Sequence, residues 1–214
     1  MSTHEQKKPE DLTLIFQDDE LIKKKFKLNS EEAEQLKKIY IFAAEKHKTQ
    51  TRKDSFKTPY IYHPIHVSLT LAEVNVNDLM TLSAALLHDT IEDTETTEQE
   101  IIDLFGKEIA AVVMECSDDK SLKKEVRKQL QIIHIEHASV SAKLVKLADK
   151  YSNLSNLHTN PPEKWSKSEI KGYFIWSYCV CKKAFGINKS QDEKLLKLFS
   201  DYGLEKYTKD ELDS

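Results

Sequence analysis

Apolar residues recur along this chain at intervals of three and four, and they nowhere alternate over any length. That spacing lines one face of a 3.6-residue helix and leaves no half-buried strand, so the sequence predicts an all-α fold, a helical bundle. The punctuation agrees: 4 Gly and 5 Pro in 214 residues are too few for a many-turned β architecture. The first clear helix opens at Asn29 or Ser30. There Asn29 and Glu32 have capping-box spacing, and Ala33, Leu36, Tyr40 and Ala43 follow at three and four. It ends before a polar loop, 48–57, after which Thr58-Pro59-Tyr60 is extended, because the residue before proline is pushed out of the α region. A second helix opens at His63-Pro64, with Pro at a tolerated early position. Asp78 caps a third, which carries Leu79, Leu82, Ala85, Leu86 and Leu87 inward. Thr97 and Glu100 form a second capping box, and the helix it starts stops at Gly106. Further helices fit 108–115, 124–136, 142–157, 165–183 and 191–201, and there is no internal repeat.

A chain of 214 residues suits one domain with tails. The expected division is an N-terminal extension, 1–28, a helical domain, 29–204, and a C-terminal tail, 205–214. Leu12, Leu14, Ile15, Phe16, Leu21, Ile22 and Phe26 suit the extension to docking on the domain, while Lys23-Lys24-Lys25 reads as a solvated face. With 39% hydrophobic and 32% charged residues the chain reads as a soluble globular protein. A net charge of -4 argues against a dedicated nucleic-acid binder, though not against a small anionic ligand held by a few local cations. Cys116, Cys179 and Cys181 make no disulfide framework and read as packed thiols in a reducing compartment. No apolar run is long enough to span a membrane, and Met1 to Asp11 lacks an apolar signal core. Lys209-Asp210-Glu211-Leu212 spells an ER-retention signal but is followed by Asp213 and Ser214, so it is discounted. A cytoplasmic enzyme is the default reading.

The chemistry concentrates in His88-Asp89-Thr90-Ile91-Glu92-Asp93. At roughly 100° per residue, His88 and Glu92 lie about 40° apart on a helix, as do Asp89 and Asp93. The four groups therefore share a face, or else the helix breaks after Thr90 and places Glu92 and Asp93 on a loop beside the other two. Alone, the segment also fits an acidic loop following a satisfied helix-end histidine. Two further segments bear on the choice. In Tyr60-Ile61-Tyr62-His63-Pro64, apolar neighbours and the fixed proline hold His63, which by itself fits a structural role as well as a ligand. In 142–150, Asp149 sits within an otherwise apolar helix face, where a carboxylate carries a desolvation penalty unless it is paired or bound to a metal. Asn153 follows one turn later on the same face.

His63, the His88-Asp89 pair and Asp149 resemble the ligand set of the HD phosphohydrolases. The finer likeness is to the hydrolase domain of the RelA/SpoT family, and especially to its small single-domain alarmone hydrolases. It rests on Arg52-Lys53, Thr58-Pro59-Tyr60-Ile61 with His63-Pro64, 84–89 with Glu92-Asp93-Thr94, Asp118-Asp119-Lys120, and 142–150 with Asn153-Leu154, and it covers about residues 35 to 204. The resemblance implies an HD-domain bundle and one divalent ion held by His63, His88, Asp89 and Asp149. Two imidazoles and two carboxylates suit a borderline-to-hard ion: Mn²⁺, with Fe²⁺, Co²⁺ or Zn²⁺ possible in vitro. Such an ion lowers the pKa of a bound water and neutralises phosphoryl charge. The resemblance further implies that Glu92 and Asp93 jointly orient or deprotonate the water and handle the leaving group's proton. The implied substrate is guanosine with 5′- and 3′-diphosphates (ppGpp, pppGpp), cut at the 3′ ester with release of pyrophosphate. Arg52, Lys53 and Lys124 fall at the family's basic positions and would grip phosphates, and Asn153 falls close to the nucleoside.

The chain departs from the family in its N-terminal extension, which has no counterpart in the shortest relatives, and at two positions within the domain. Lys57 stands where relatives carry Gly before Thr-Pro-Tyr, and around 165–170 relatives carry an arginine where this chain has Glu169. No synthetase region is expected after Leu204, so the chain is expected to hydrolyse alarmone without making it. Other functions compete: removal of the 2′-phosphate of NADPH at the same centre, a non-catalytic nucleotide-binding module, and a cyclic-nucleotide phosphodiesterase, whose two-metal site would need more ligands than the motifs supply. His47, His66, His134, His137 and His158 read as surface or packing residues, and Trp165, Tyr173, Phe174 and Trp176 as core rather than interface.

Overall fold

The computed structural model describes residues 10–54, 56–162 and 164–204. The tail from 205 and the Lys209–Leu212 string lie outside the described residues, as does most of the polar N-terminus. Among the described residues the fold is all-α, as the periodicity predicts. The one trace of β pairing is an isolated bridge, Thr51 to Pro59, that closes the polar loop.

A 3-10 turn (Leu12–Gln17) leads into α1 (Asp19–Phe26), α2 (Ser30–Lys46), α3 (Tyr62–Glu73), α4 (Leu79–Leu87), α5 (Thr90–Asp93) and α6 (Glu98–Phe105). Then come α7 (Lys107–Cys116), α8 (Lys124–His137), α9 (Val140–Thr159), α10 (Lys167–Cys181) and α11 (Lys189–Asp201). The Asn29–Glu32 box forms in both directions, and the Asp78 carboxylate accepts from Thr81 N. The Thr97 box forms only halfway. Thr97 accepts from Glu100 N, but the Glu100 carboxylate turns away to Lys46 Nζ at 2.8 Å, because a charged partner outcompetes a backbone amide. The helix expected from 165 starts at Lys167 instead, because Ser166 and Glu169 make a complete capping box.

Helix α9 organises the interior. Its first half joins α2, α3, α4 and α7 in one apolar core, and its second half joins α8, α10 and α11 in another. Phe16, Ile22, Phe26 and Leu28 belong to the first core, so the N-terminal segment is anchored by side chains whose burial is worth about 1.5–3 kcal/mol each. Phe174 is buried, whereas Trp165, Tyr173 and Trp176 are only half-buried and line two cavities that meet at Tyr173. Cys116 and Cys181 are buried and Cys179 is partly so, all as free thiols. Among the described residues no helix is long and apolar enough to cross a membrane.

Candidate metal centre

Three helices deliver the centre. Helix α4 is buried almost throughout, and it stops because two side chains take its last carbonyls: Thr90 Oγ1 donates to Leu87 O at 2.7 Å and His88 Nδ1 to Ala85 O at 2.8 Å. The break therefore falls at His88-Asp89, earlier than the sequence pattern indicates, and Glu92 and Asp93 ride on the separate turn α5. With Nδ1 committed to a carbonyl, His88 has only Nε2 left to face inward. His63, from the first turn of α3, points its Nε2 at Asp149 Oδ1 of α9 at 3.1 Å. His88 Nε2 lies 3.8 Å from the same oxygen and 3.2 Å from Asp89 Oδ2, which is itself 3.6 Å from His63 Nε2. Donor atoms of His63, His88 and Asp149 all lie within 4.8 Å of one another, and all three residues are buried.

A divalent metal suits this cluster. His88 Nε2 is fully buried, close to Asp89 yet without a hydrogen bond, and an orphaned imidazole nitrogen at that depth is costly unless an ion completes it. The grouped donors are two imidazoles and the Asp149 carboxylate, with the Asp89 carboxylate beside them and no thiolate, a set for a borderline-to-hard divalent ion. The metal-free electrostatics are asymmetric. Burial, aided by the Arg52 charge, pushes the His63 pKa down to about 4. Burial also opposes charge on His88, but the Asp89 and Asp149 carboxylates outweigh it and push its pKa up to about 9. Burial disfavours charge on Asp89 and Asp149 as well. His88 nevertheless holds Asp89, and Lys150 and His63 hold Asp149, well below the usual carboxylate range.

Glu92 and Asp93 stand beside the cluster on separate supports. Glu92 accepts from Asp118 N at 3.1 Å and from Arg127 Nη1 at 3.4 Å, and burial pushes its pKa up. Asp93 is paired with Lys120. The Tyr60 hydroxyl lies between the two groups, 2.7 Å from Asp89 Oδ2 and 3.2 Å from Asp93 Oδ2. Burial and the Asp89 charge keep that phenol protonated, so it is a donor.

A cavity of about 270 Å³ over the cluster is lined by Glu92, Asp93, Lys124 and Arg127. Tyr60, Asp93, Asn153 and Tyr173 are shared with a larger one of about 540 Å³, lined further by Arg52, Lys53 and Trp165. The basic residues expected from the sequence thus flank the centre on two sides. Asn153 is a link as well as a lining residue: its amide donates to Asp149 Oδ1 at 2.6 Å and accepts from Arg52 Nη2 at 2.9 Å.

Both departures within the domain have a structural footing. Lys57 adopts φ 52°, the left-handed conformation that glycine occupies without penalty. Glu169 is spent on its own helix N-terminus, accepting from Ser166 N at 2.8 Å. Tyr60 and Lys120 lie in strings that match the family, yet the sequence assigns them no role. Arg127 was signalled only by lying one turn beyond Lys124 on α8. His47 is a packing residue, buried and bonded through Nδ1 to Gln50 at 2.8 Å.

Residues 40–177 match the HD domain family model. The chain is 49% identical over 164 residues to the guanosine-3′,5′-bis(diphosphate) 3′-pyrophosphohydrolase MESH1 of Xenopus tropicalis, across 76% of this chain and 92% of that protein. It is 47% identical over 174 residues to the Homo sapiens protein of the same name, across 81% and 97%. The bifunctional (p)ppGpp synthase/hydrolase SpoT of Escherichia coli is 37% identical over 143 residues, which make up 20% of that longer protein. Among solved structures the chain resembles one described as a metazoan ortholog of SpoT that hydrolyzes ppGpp, with TM-score 0.78 and 41% identity over 79% of this chain and 96% of that one.

Proposed function

The chain belongs to the HD-domain family, within the branch of the MESH1-type pyrophosphohydrolases, and from that membership we propose that it hydrolyses ppGpp at the 3′ position. Water adds to phosphorus, the bond from phosphorus to the 3′ oxygen breaks, pyrophosphate leaves, and GDP remains with a 3′ hydroxyl. The observation that supports the reading is the convergence of His63, His88 and Asp149 on one buried point, with Asp89 Oδ2 3.2 Å from His88 Nε2 and 3.6 Å from His63 Nε2, the Glu92–Asp93 pair beside it and a nucleotide-sized cavity above.

We assign His63, His88, Asp89 and Asp149 as ligands of one divalent ion, with Mn²⁺ as the native choice. When bound, that ion lowers the pKa of a water and offsets charge on the phosphoryl oxygens. Glu92, whose pKa burial raises, is a stronger proton acceptor than an ordinary carboxylate, and Asp93 stands opposite Tyr60 and Lys120 to share the proton traffic. Arg52 and Lys53 reach the nucleotide's phosphates from the larger cavity, and Lys124 from the smaller. Asn153 aligns Asp149 and Arg52 about the nucleoside. Nothing in the reading requires a nucleic-acid or membrane partner, and a cytoplasmic location suits a small-molecule nucleotide substrate.

The test is to load the purified, metal-stripped protein with Mn²⁺ and supply ppGpp or NADPH. Pyrophosphate from ppGpp supports the reading. Orthophosphate from NADPH alone transfers the activity to a 2′-phosphatase. Tight binding of either nucleotide without turnover makes the protein a binding module.

A further inference from the structure

His63 uses one ring nitrogen toward the ion site, and the other is held by Ser152, one turn beyond Asp149 on α9, which His66 contacts in turn. Helix α3 carries His63 and His66, and α9 carries Asp149 and Ser152, both pairs at the i, i+3 spacing that puts two side chains on one face. Where the helices pack together, Asp149 meets His63 Nε2 and Ser152 meets both imidazoles. Ser152 Oγ is 3.1 Å from His63 Nδ1 and 2.8 Å from His66 Nδ1. Ser152 is buried, in the wall of a cavity that His63 and His66 also line.

The direction of these bonds follows from proton count. Binding an ion through Nε2 requires that lone pair, so a neutral His63 carries its proton on Nδ1 and donates to Ser152 Oγ. The serine's own proton then goes to His66 Nδ1, the nearer ring. Burial lowers the His66 pKa, which favours the neutral ring that can accept this proton. The cavity beside Ser152, of about 320 Å³, shares Arg52 with the larger one and His63 with the one over the cluster.

We propose that Ser152, backed by His66, is a positioning residue of the metal centre: the pair fixes the tautomer and ring orientation of His63 so that Nε2 presents to the ion. This rests on the metal-ligand reading above. His88 needs no such pair, because the Ala85 carbonyl does the same work from its own helix. Partners of this kind tune metal affinity without touching substrate, and their loss costs about 10–100-fold in affinity.

The experiment measures the dissociation constant of Mn²⁺ and of Co²⁺ for metal-stripped protein by competition with a chelating dye, alongside the apo-protein melting temperature and the Co²⁺ absorption spectrum. Ser152→Ala should weaken Mn²⁺ binding about 10–100-fold and alter the Co²⁺ spectrum, and Ser152→Thr, which keeps the hydroxyl, should stay within about threefold of the parent. His66→Ala should weaken binding, and His66→Asn, whose amide oxygen replaces Nδ1 as acceptor, should recover it. Parent-like affinity in both Ser152→Ala and His66→Ala, or a fall in melting temperature with unchanged affinity, overturns the proposal. Should Ser152→Ala fail to fold, the His66→Ala and His66→Asn pair decides alone. Absence of metal binding in the parent protein would instead refute the metal-ligand reading on which the proposal rests.

Discussion

Adding metal to the stripped protein should release protons in an amount that exposes the asymmetry of the two histidines. In the metal-free cluster His88 is pushed up to about 9 while His63 is pushed down to about 4. At pH 8 His88 is therefore about nine-tenths protonated and His63 carries no extra proton, so one ion should displace about 0.9 proton. Two histidines at the ordinary value of about 6.5 would together release less than about 0.1 at that pH. The same logic sets the affinity: between pH 8 and pH 6 the apparent association constant should fall by about two orders of magnitude. The assay is a weakly buffered titration of apo-protein with Mn²⁺ in the presence of an indicator dye, repeated as a dye competition across pH. Stoichiometric binding at pH 8 with no proton release would refute the electrostatic account. The stability sign follows. Because the His88 pKa is raised on folding, its stabilisation of the metal-free chain is fully present below about 6.5 and is lost as pH rises through about 9. The depressed Asp89 and Asp149 act oppositely: their stabilisation is present above the ordinary carboxylate range and is lost as pH falls through their lowered values. The melting temperature of chelated protein should accordingly decline from pH 6.5 to 9.

Asp149→Ala should abolish both metal retention and turnover, since it removes a ligand and leaves the buried Lys150 ammonium, 3.4 Å from Oδ2, without its carboxylate; near-normal metal content by atomic absorption would contradict the ligand set. Glu92→Gln and Asp93→Asn should each keep the metal and lose about 10²–10⁴-fold in kcat, and parent-like rates in either variant would remove that residue from the proton chemistry. Lys57→Gly should raise stability by about 0.5–1 kcal/mol in a denaturant titration, because it relieves the left-handed backbone at φ 52°; an unchanged or lowered midpoint would show that Lys57 makes compensating contacts.

Much of the fold was legible in local chemistry. Asn29 and Asp78 announce their helices because a cap needs only a side-chain oxygen and an amide two or three residues away. The same rule misjudged Glu100, whose carboxylate found Lys46, 54 residues distant in sequence, and it overlooked Ser166 and Glu169, whose box moved the start of α10. At the site, the donor types at 63, 88–89 and 149 were readable as an ordered set. Their supports were not: Tyr60 reaches Asp89 and Asp93, and Arg127 reaches Glu92, across gaps of about thirty residues.

The sequence by itself determined the period of the apolar residues, hence an all-α chain, and it determined which residue types were available for metal and proton chemistry. Tertiary structure alone decided that helices α3, α4 and α9 bring those residues to one point, that the chain breaks at His88-Asp89, and that Ser152 sits between two histidines. The physical reason is reach. Periodicity and capping are set by atoms within about one helical turn, whereas a contact between helices depends on how their faces rotate and pack against each other, which the whole core settles at once.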